Sequence, residues 1–377
     1  MSILILAAQT GHGHMSVMNA INEAFLDKKY KDCICIPDFY ESILPSNKIL
    51  SDFYNFLLSS STALCDKYVE FNSITRPEKN EYIYKLTKHK YTKLFRIKGI
   101  DAIISTATSI NYNMIRAMKE ERILNKIPFY VVVTDPYNPI APGFDAIGAT
   151  RYFCPNSIVR KILVKSGVPE KNVIISGYPI SKRFFCDNLF KNEEIYTDLN
   201  INKDKKVIVL NCGSQGNISN LDFLIKYLNS NLHENFIMLC GVNKVLYKLA
   251  KIELKRAQRD NVTILPFYDH VEKLLAVADI YITKAGANSF YEALVTKVPM
   301  IIDAVNGFIY QERGVVDFLE NAKVGRILRN KENLISLIKT MLSDKESMRI
   351  KEEYKQILIK DGANNIVEKV LEDIGKL

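Results

Sequence analysis

Short apolar runs alternate with amphipathic stretches along almost the whole chain, and no other feature of the sequence restricts the fold as much. In the first half the runs lie at 2–7, 32–37, 101–107, 129–134, 151–154 and 173–176; in the second they lie at 206–211, 235–240, 262–265, 280–283, 299–302 and 324–328. They are too short for helices and rich in Val, Ile, Leu, Phe and Tyr, as buried strands are. Between them, 157–166, 220–228, 243–257 and 289–295 carry apolar residues at helical spacing. Strand, helix, strand in repetition predicts parallel sheets covered on both faces, an α/β fold. Two such sets predict two Rossmann-like domains, which 377 residues suffice to build, although no sequence repeat relates them. The expected division is 1–180, a charged and weakly periodic linker at 181–205, a second domain at 206–350 and a helical tail at 351–377. The stretch 344–377 reads as helix with no further strand.

Composition narrows the function classes. Apolar residues make up 47% and charged residues 25% of the chain, the balance of a globular protein. No run approaches the length of a membrane-spanning helix, and the first apolar run lacks the basic flank and cleavage site of a signal peptide. A cytosolic location is therefore expected. Seven cysteines without metal-site spacing fit reduced thiols, with Cys33 and Cys35 on the same side of one strand. A formal charge of +9 favours an anionic partner such as a phosphate ester, a nucleic acid or a membrane surface. Nucleic acid is the weakest of these, because no module for base readout or stacking is present.

Three glycine-bearing turns follow predicted strands and open helices. In "LAAQTGHGHMSVMNAI", Gly11 and Gly13 permit a tight turn and a close backbone approach, and His14 stands at the mouth of the next helix. The dinucleotide fingerprint is absent, since Ser16 occupies its third glycine position. The alternative is a plain strand-to-helix turn capped by His14. A metal pair at His12 and His14 has no carboxylate or thiol cluster beside it. Gly213-Ser214-Gln215-Gly216 forms a second turn suited to phosphate, and Lys284, Gly286, Asn288 and Ser289 form a third, ahead of Glu292. There the alternative has its own mechanism: Ser289 and Glu292 fit an S-x-x-E capping box, which needs no ligand.

These segments, taken together, resemble a known family. "TKAGANSFYEAL", with Gln311-Glu312 after "VPMIIDAVNGFIY", is similar to the nucleotide-sugar signature of the monogalactosyldiacylglycerol synthase and processive diacylglycerol glucosyltransferase family. "CGSQG" resembles the matching loop of the related lipid-linked N-acetylglucosamine transferase of peptidoglycan synthesis. "GHGHMSVMNAI", "VVVTDPYNP" and "VIISGYPISKRF" resemble further segments of the family, in the same order. The resemblance implies a GT-B glycosyltransferase, two Rossmann-like domains facing across a cleft, with acceptor on the amino-terminal domain and a UDP-sugar on the carboxyl-terminal one. It assigns the diphosphate to Ser214, Ser289 and the backbone at Gly213 and Gly286, within loops that also contain Gln215, Gly216 and Asn288. It assigns the ribose to Glu292, the uracil to the Phe267-Tyr268 turn, and the sugar hydroxyls to Gln311 and Glu312. His14 becomes the base for the acceptor hydroxyl, beside Gly11 and Gly13 on the acceptor side, with Asp135 orienting or assisting it. The chain departs from the family at Ala287-Asn288, Lys297, Tyr310 and 136–139, so donor sugar and acceptor stay open.

The implied chemistry is direct displacement with inversion. A base helps a weakly nucleophilic hydroxyl to attack, and helix N-termini stabilise the leaving diphosphate. No cofactor or metal is expected beyond the UDP-sugar co-substrate. A hydrophobic or lipid acceptor implies peripheral contact with an anionic membrane at the inner face of the cell. The basic stretch 84–98 could lie on such a bilayer, and 49–71 could cover a lipid tail; alternatively, both are helices packed on the sheet. Two further readings stay open: a UDP-sugar epimerase of the same architecture, and a catalytically weakened nucleotide-sugar-binding partner.

Overall fold

A computed structural model of the protein describes residues 2–186 and 194–375. The part of the expected linker at 187–193 lies outside the described residues. Every apolar run named above contains or overlaps a strand. The first sheet comprises β1 (Ser2–Leu6), β2 (Cys33–Ile36), β3 (Ile100–Ser105), β4 (Phe129–Val132), β5 (Arg151–Cys154) and β6 (Val173–Ile175). The second comprises β7 (Val207–Asn211), β8 (Asn235–Leu239), β9 (Val262–Leu265), β10 (Ile280–Thr283), β11 (Met300–Asp303) and β12 (Gly325–Leu328). All neighbours are parallel, in the orders β2-β1-β3-β4-β5-β6 and β12-β11-β10-β7-β8-β9. Residues Ile3 to Leu6 of β1 and Tyr281 and Ile282 of β10 have no exposed surface, as strands covered on both faces require.

Strand order reverses next to β1 in the first sheet and next to β7 in the second. Ligands of open α/β sheets bind beyond the carboxyl ends of strands at such points. The loop with Gly11 and His14 leaves β1 beside β3, while the Gly213 and Gly286 loops leave the neighbouring strands β7 and β10.

Contacts divide the chain into one unit of Met1–Tyr54, Lys67–Lys182 and Lys360–Leu377, and another of Asn55–Asp66 and Arg183–Ile359. This division departs from the expected one twice. Helix Asp344–Tyr354 stays with the second unit, but helix Gly362–Asp373 joins the first. Its Ile366, Val367, Val370 and Leu371 are buried, and Asp373 Oδ2 accepts from Arg151 Nε at 2.5 Å. The other departure is the corner Asn55–Asp66, at the junction of helices Pro45–Ser60 and Thr62–Thr75, which packs in the second unit.

The basic helix Glu81–Phe95 turns its aromatic face inward. Tyr84, Tyr91 and Leu94 are buried, and Lys88 pairs with Glu120 at 2.9 Å. Tyr91 and Leu94 are thus core residues, unavailable to a bilayer. Apolar surface is instead open on the two preceding helices: Ile49 and Phe53 on one, and Phe71 and Ile74 on the other, are 47% to 76% exposed.

Candidate active site

In the first unit, β1 ends at Leu6 and the chain turns through Gly11 and His12, both at positive φ (64° and 65°), before helix Gly13–Asp27 begins. No side chain caps that helix, so His14 is a residue of the first turn and not its cap. A Cβ placed on Gly13 would meet nothing within 4 Å, so the space over the turn is open. His14 is held by the ends of β3 and β4. Its Nδ1 lies 2.7 Å from the Thr106 carbonyl oxygen and 3.3 Å from Thr134 Oγ1. A carbonyl oxygen only accepts, so Nδ1 carries the proton and Nε2 keeps the lone pair that can take another. Burial lowers the His14 pKa below its ordinary 6.5, although the Thr106 bond opposes that shift, and the ring is neutral at pH 7.

Asp135 is buried and accepts from the Ala141 N–H at 2.5 Å. Burial raises its carboxyl to about 7. The groups bonded to the His14 ring are therefore Thr106 and Thr134, while Asp135 is bonded to the backbone of its own loop.

In the second unit, the Gly213–Gly216 loop is fixed by close backbone approach. Asn211 Oδ1 accepts from Gly213 N–H at 2.9 Å, Val242 N–H donates to the Ser214 carbonyl at 2.9 Å, and Asn243 Nδ2 donates to the Gly216 carbonyl at 2.8 Å. Gly216 has φ +69°, and a Cβ there would stand 2.1 Å from the Cys240 carbonyl oxygen. After β10, Gly286 is the N-cap of helix Ala287–Thr296 and makes no side-chain cap bond. Ser289 and Asn288 therefore lie inside the first turn, and the Ser289–Glu292 capping box does not form. The Ser289 hydroxyl lies instead near the buried Tyr281 hydroxyl, which accepts from Asn211 Nδ2.

Lys284 bridges the two loops. Its Cε would lie 3.6 Å from a Cβ on Gly213 and 3.3 Å from one on Gly286, and its Nζ is 3.5 Å from Glu312 Oε1. Beside this pair, Gln311 Oε1 is buried without a hydrogen-bond partner. Glu292 lies apart from the helix cap, and burial together with the Glu272 carboxylate raises its pKa to about 7, while Arg183 opposes the shift. Glu272 also holds His270 Nδ1 at 3.1 Å and lies 3.8 Å from Arg183 Nη1. Tyr268 stacks edge-on against His270 at 6.2 Å, and Phe267 is 49% exposed. Thus the structure brings Gly213, Gly286 and Glu312 together around Lys284, and gathers the Tyr268 turn, Glu272 and Glu292 around a separate charged cluster. Lys284 stands in the third glycine turn of the sequence but gains its meaning only from the fold; its signal is a lysine directly after an apolar strand. Thr106 and Thr134 carry a weaker signal, each a threonine at a strand end.

A family model described as monogalactosyldiacylglycerol synthase matches residues 14–180, and one described as CDP-glycerol:poly(glycerophosphate) glycerophosphotransferase matches residues 150–372. The processive diacylglycerol beta-glucosyltransferase of Bacillus pumilus (strain SAFR-032) is 25% identical, over 98% of this chain and 94% of its own. That of Bacillus cereus (strain B4264) is 24% identical, over 98% and 93%. Among solved structures, Acinetobacter baumannii MurG aligns with TM-score 0.60 at 12% identity, over 99% of this chain and 100% of its own. The UDP-GlcNAc 2-epimerase from Neisseria meningitidis bound to UDP-GlcNAc aligns with TM-score 0.60 at 14% identity, over all of both chains. These structures share the GT-B fold, which serves transferases and epimerases alike.

The chain is, by class, a GT-B glycosyltransferase. It belongs to the CDP-glycerol:poly(glycerophosphate) glycerophosphotransferase family, whose model matches more than half of it, and it is similar to the monogalactosyldiacylglycerol synthases over residues 14–180 and to the processive diacylglycerol glucosyltransferases over nearly its whole length.

Proposed function

We propose that the protein transfers a sugar from a UDP-sugar to a hydroxyl of a diacylglycerol-like lipid, with inversion, as a cytoplasmic enzyme working at the inner membrane face and using no cofactor beyond its co-substrate. The observation that carries this reading is the set around Lys284: a cation between two glycine loops, next to a buried carboxylate and the partnerless Gln311 Oε1. A cation and loop N–H groups suit a diphosphate, and acceptor oxygens suit sugar hydroxyls. The names of the relatives support a lipid acceptor and glucose as the first donor to test.

His14 Nε2 takes the proton of the acceptor hydroxyl as its oxygen bonds to the anomeric carbon. The bond from that carbon to UDP breaks, and its electron pair leaves with the diphosphate, where Lys284 and the helix N-terminus at Gly286 lower its energy. Gly213, Ser214, Gln215 and Gly216 position the diphosphate with Asn288 and Ser289; Glu292 takes the ribose, and Phe267 and Tyr268 the uracil. Asp135 holds the loop behind the acceptor side, where Gly11 and Gly13 leave room for the lipid headgroup.

Among the described residues no helix is long and apolar enough to cross a membrane. Association would then be peripheral, through the exposed Ile49, Phe53, Phe71 and Ile74, with neighbouring lysines at the headgroups. The match over residues 150–372 favours a second reading in which CDP-glycerol is the donor. The test is thermal shift with UDP, UDP-glucose, UDP-galactose, UDP-N-acetylglucosamine and CDP-glycerol, followed by product analysis on diacylglycerol vesicles. A shift with UDP and one UDP-sugar, and a glycolipid of inverted configuration, is expected. Glycerol phosphate transfer, or sugar isomerisation without acceptor, would replace the reading. Phe53→Ser with Phe71→Ser should reduce sedimentation with anionic vesicles, and no change would remove the membrane surface from the proposal.

A further inference from the structure

The corner Asn55–Asp66 comes early in the chain, yet it packs in the second unit, against residues of the two segments that hold Lys284 and Glu312. Asp66 Oδ2 accepts from Arg313 Nη2 at 2.8 Å. Cys65 has no exposed surface, and its thiol lies within electrostatic reach of both Lys284 and Glu312. The end of the corner is therefore set against the wall formed by 284–286 and 311–313.

Two buried side-chain oxygens lack partners here, Asp66 Oδ1 on the corner and Gln311 Oε1 on the wall. Both are acceptors. Leaving one unsatisfied costs about 1–3 kcal/mol, more for a charged group, so a pair of them is a liability unless something donates to both. Neither Arg313, which bonds Asp66 Oδ2, nor Lys284, which pairs with Glu312, is bonded to either of them. A ligand that offers several hydroxyl donors at short spacing answers this set, and a hexose is such a ligand.

We propose that Asp66 accepts a hydrogen bond from a hydroxyl of the transferred sugar, so that the corner supplies a third side of the pocket whose other sides are Gln311 and Glu312. This rests on the reading that Gln311 and Glu312 hold the donor sugar. It adds a specificity residue from a segment far away in sequence. Arg313 acts on the sugar only through Asp66, by fixing the carboxylate's orientation.

The test is calorimetric titration of the full chain with UDP, UDP-glucose and monodeoxy analogues of UDP-glucose, one for each sugar hydroxyl. Asp66→Ala should leave the UDP affinity within about twofold and weaken UDP-glucose about ten- to a hundredfold, the size of one hydrogen bond to a charged group. One monodeoxy analogue, penalised in the wild type, should bind the variant no worse than UDP-glucose does. Asp66→Asn keeps the volume and one acceptor oxygen, and should shrink that penalty without abolishing it, with melting temperature recorded for each variant. Equal weakening of UDP and UDP-glucose would mean that Asp66 is structural and would overturn the proposal. So would an unchanged UDP-glucose preference in Asp66→Ala while Gln311→Ala loses it, since the pocket would then stand without the corner. A wild type that binds UDP-glucose no more tightly than UDP would remove the sugar pocket itself, and the corner's role with it.

Discussion

His14 and Glu292 are opposite solutions to placing an ionisable group in the interior. The Thr106 carbonyl fixes the His14 tautomer, and burial keeps the ring neutral, so Nε2 keeps a free lone pair at pH 7, which is what the base proposed above requires, without a carboxylate partner. His14→Ala should lower kcat by about 10²–10⁴-fold, the usual share of general-base catalysis, while UDP affinity stays within about twofold. A matching loss of UDP affinity would assign His14 to the donor. Glu292 is held near neutrality by burial and by Glu272, with Arg183 opposing, and Tyr281 adjoins it. Because its folded pKa of about 7 lies above the ordinary 4.5, its contribution to stability is complete below pH 4.5 and is lost as pH rises through 7. Glu292→Gln should therefore raise the melting temperature of the free protein at pH 8 and change it little at pH 4.5. Ribose hydroxyls favour the ionised form, so UDP-glucose affinity should tighten from pH 6 to 7.5 in the wild type and stay flat in Glu292→Gln. A slope that persisted in the variant would show that Glu292 is not its source.

At the scale of elements, two glycines with the same sequence appearance have different physical standing. Gly216 cannot carry a Cβ, because its φ is +69° and the Cys240 carbonyl oxygen would be 2.1 Å away. Gly216→Ala should displace the loop, costing about 1 kcal/mol or more of stability and much of the UDP affinity. Gly13 has open space where its Cβ would be, so Gly13→Ala should stabilise the helix by about 0.5–1 kcal/mol. If the space over Gly13 serves the acceptor, the same variant loses turnover; a stabler and fully active enzyme would return Gly13 to a simple turn. The strands were legible because a strand buried on both faces is a continuous apolar run, and each run needs only its own residues to be read. The three glycine turns were legible for the same reason. The inward face of helix Glu81–Phe95 was not, since lysines interleaved with Tyr91 and Leu94 fit a membrane-surface helix and a core-facing one equally. Nor were Thr106, Thr134 and Asp66, whose places depend on which strand end or corner lands beside them; Lys284 was legible as part of the third turn but not as the link between two loops.

The whole molecule is built by crossing the chain between units, and no local pattern announces this. Helix Gly362–Asp373 is amphipathic in the ordinary way, and its sequence does not say which unit will receive its apolar face. What decides is the fit at its start. A Cβ on Gly362 would lie 2.5 Å from the Gly177 carbonyl oxygen, and one on Gly177 would lie 2.8 Å from Lys360 Cβ, so only two glycines let these backbones meet. Asn365 Nδ2 then donates to the Ser176 carbonyl at 2.7 Å, Arg151 closes on Asp373, and Lys28 pairs with Glu368 at 2.6 Å. Burial of Ile366, Val367, Val370 and Leu371 stabilises the first unit by about 1.5–3 kcal/mol for each side chain fully removed from water, before chain entropy is deducted. Deletion of residues 360–377 should therefore destabilise the first unit, which carries His14, while leaving the Lys284 and Glu292 sites intact. Hydrogen exchange on the truncated chain is the measurement: β1 and β3 should lose protection, β7 and β10 should keep theirs, and UDP should still raise the melting temperature of the second transition. Loss of protection in both sheets alike would show that the last helix supports the two units together, and uniform retention would show that it adds nothing to the first.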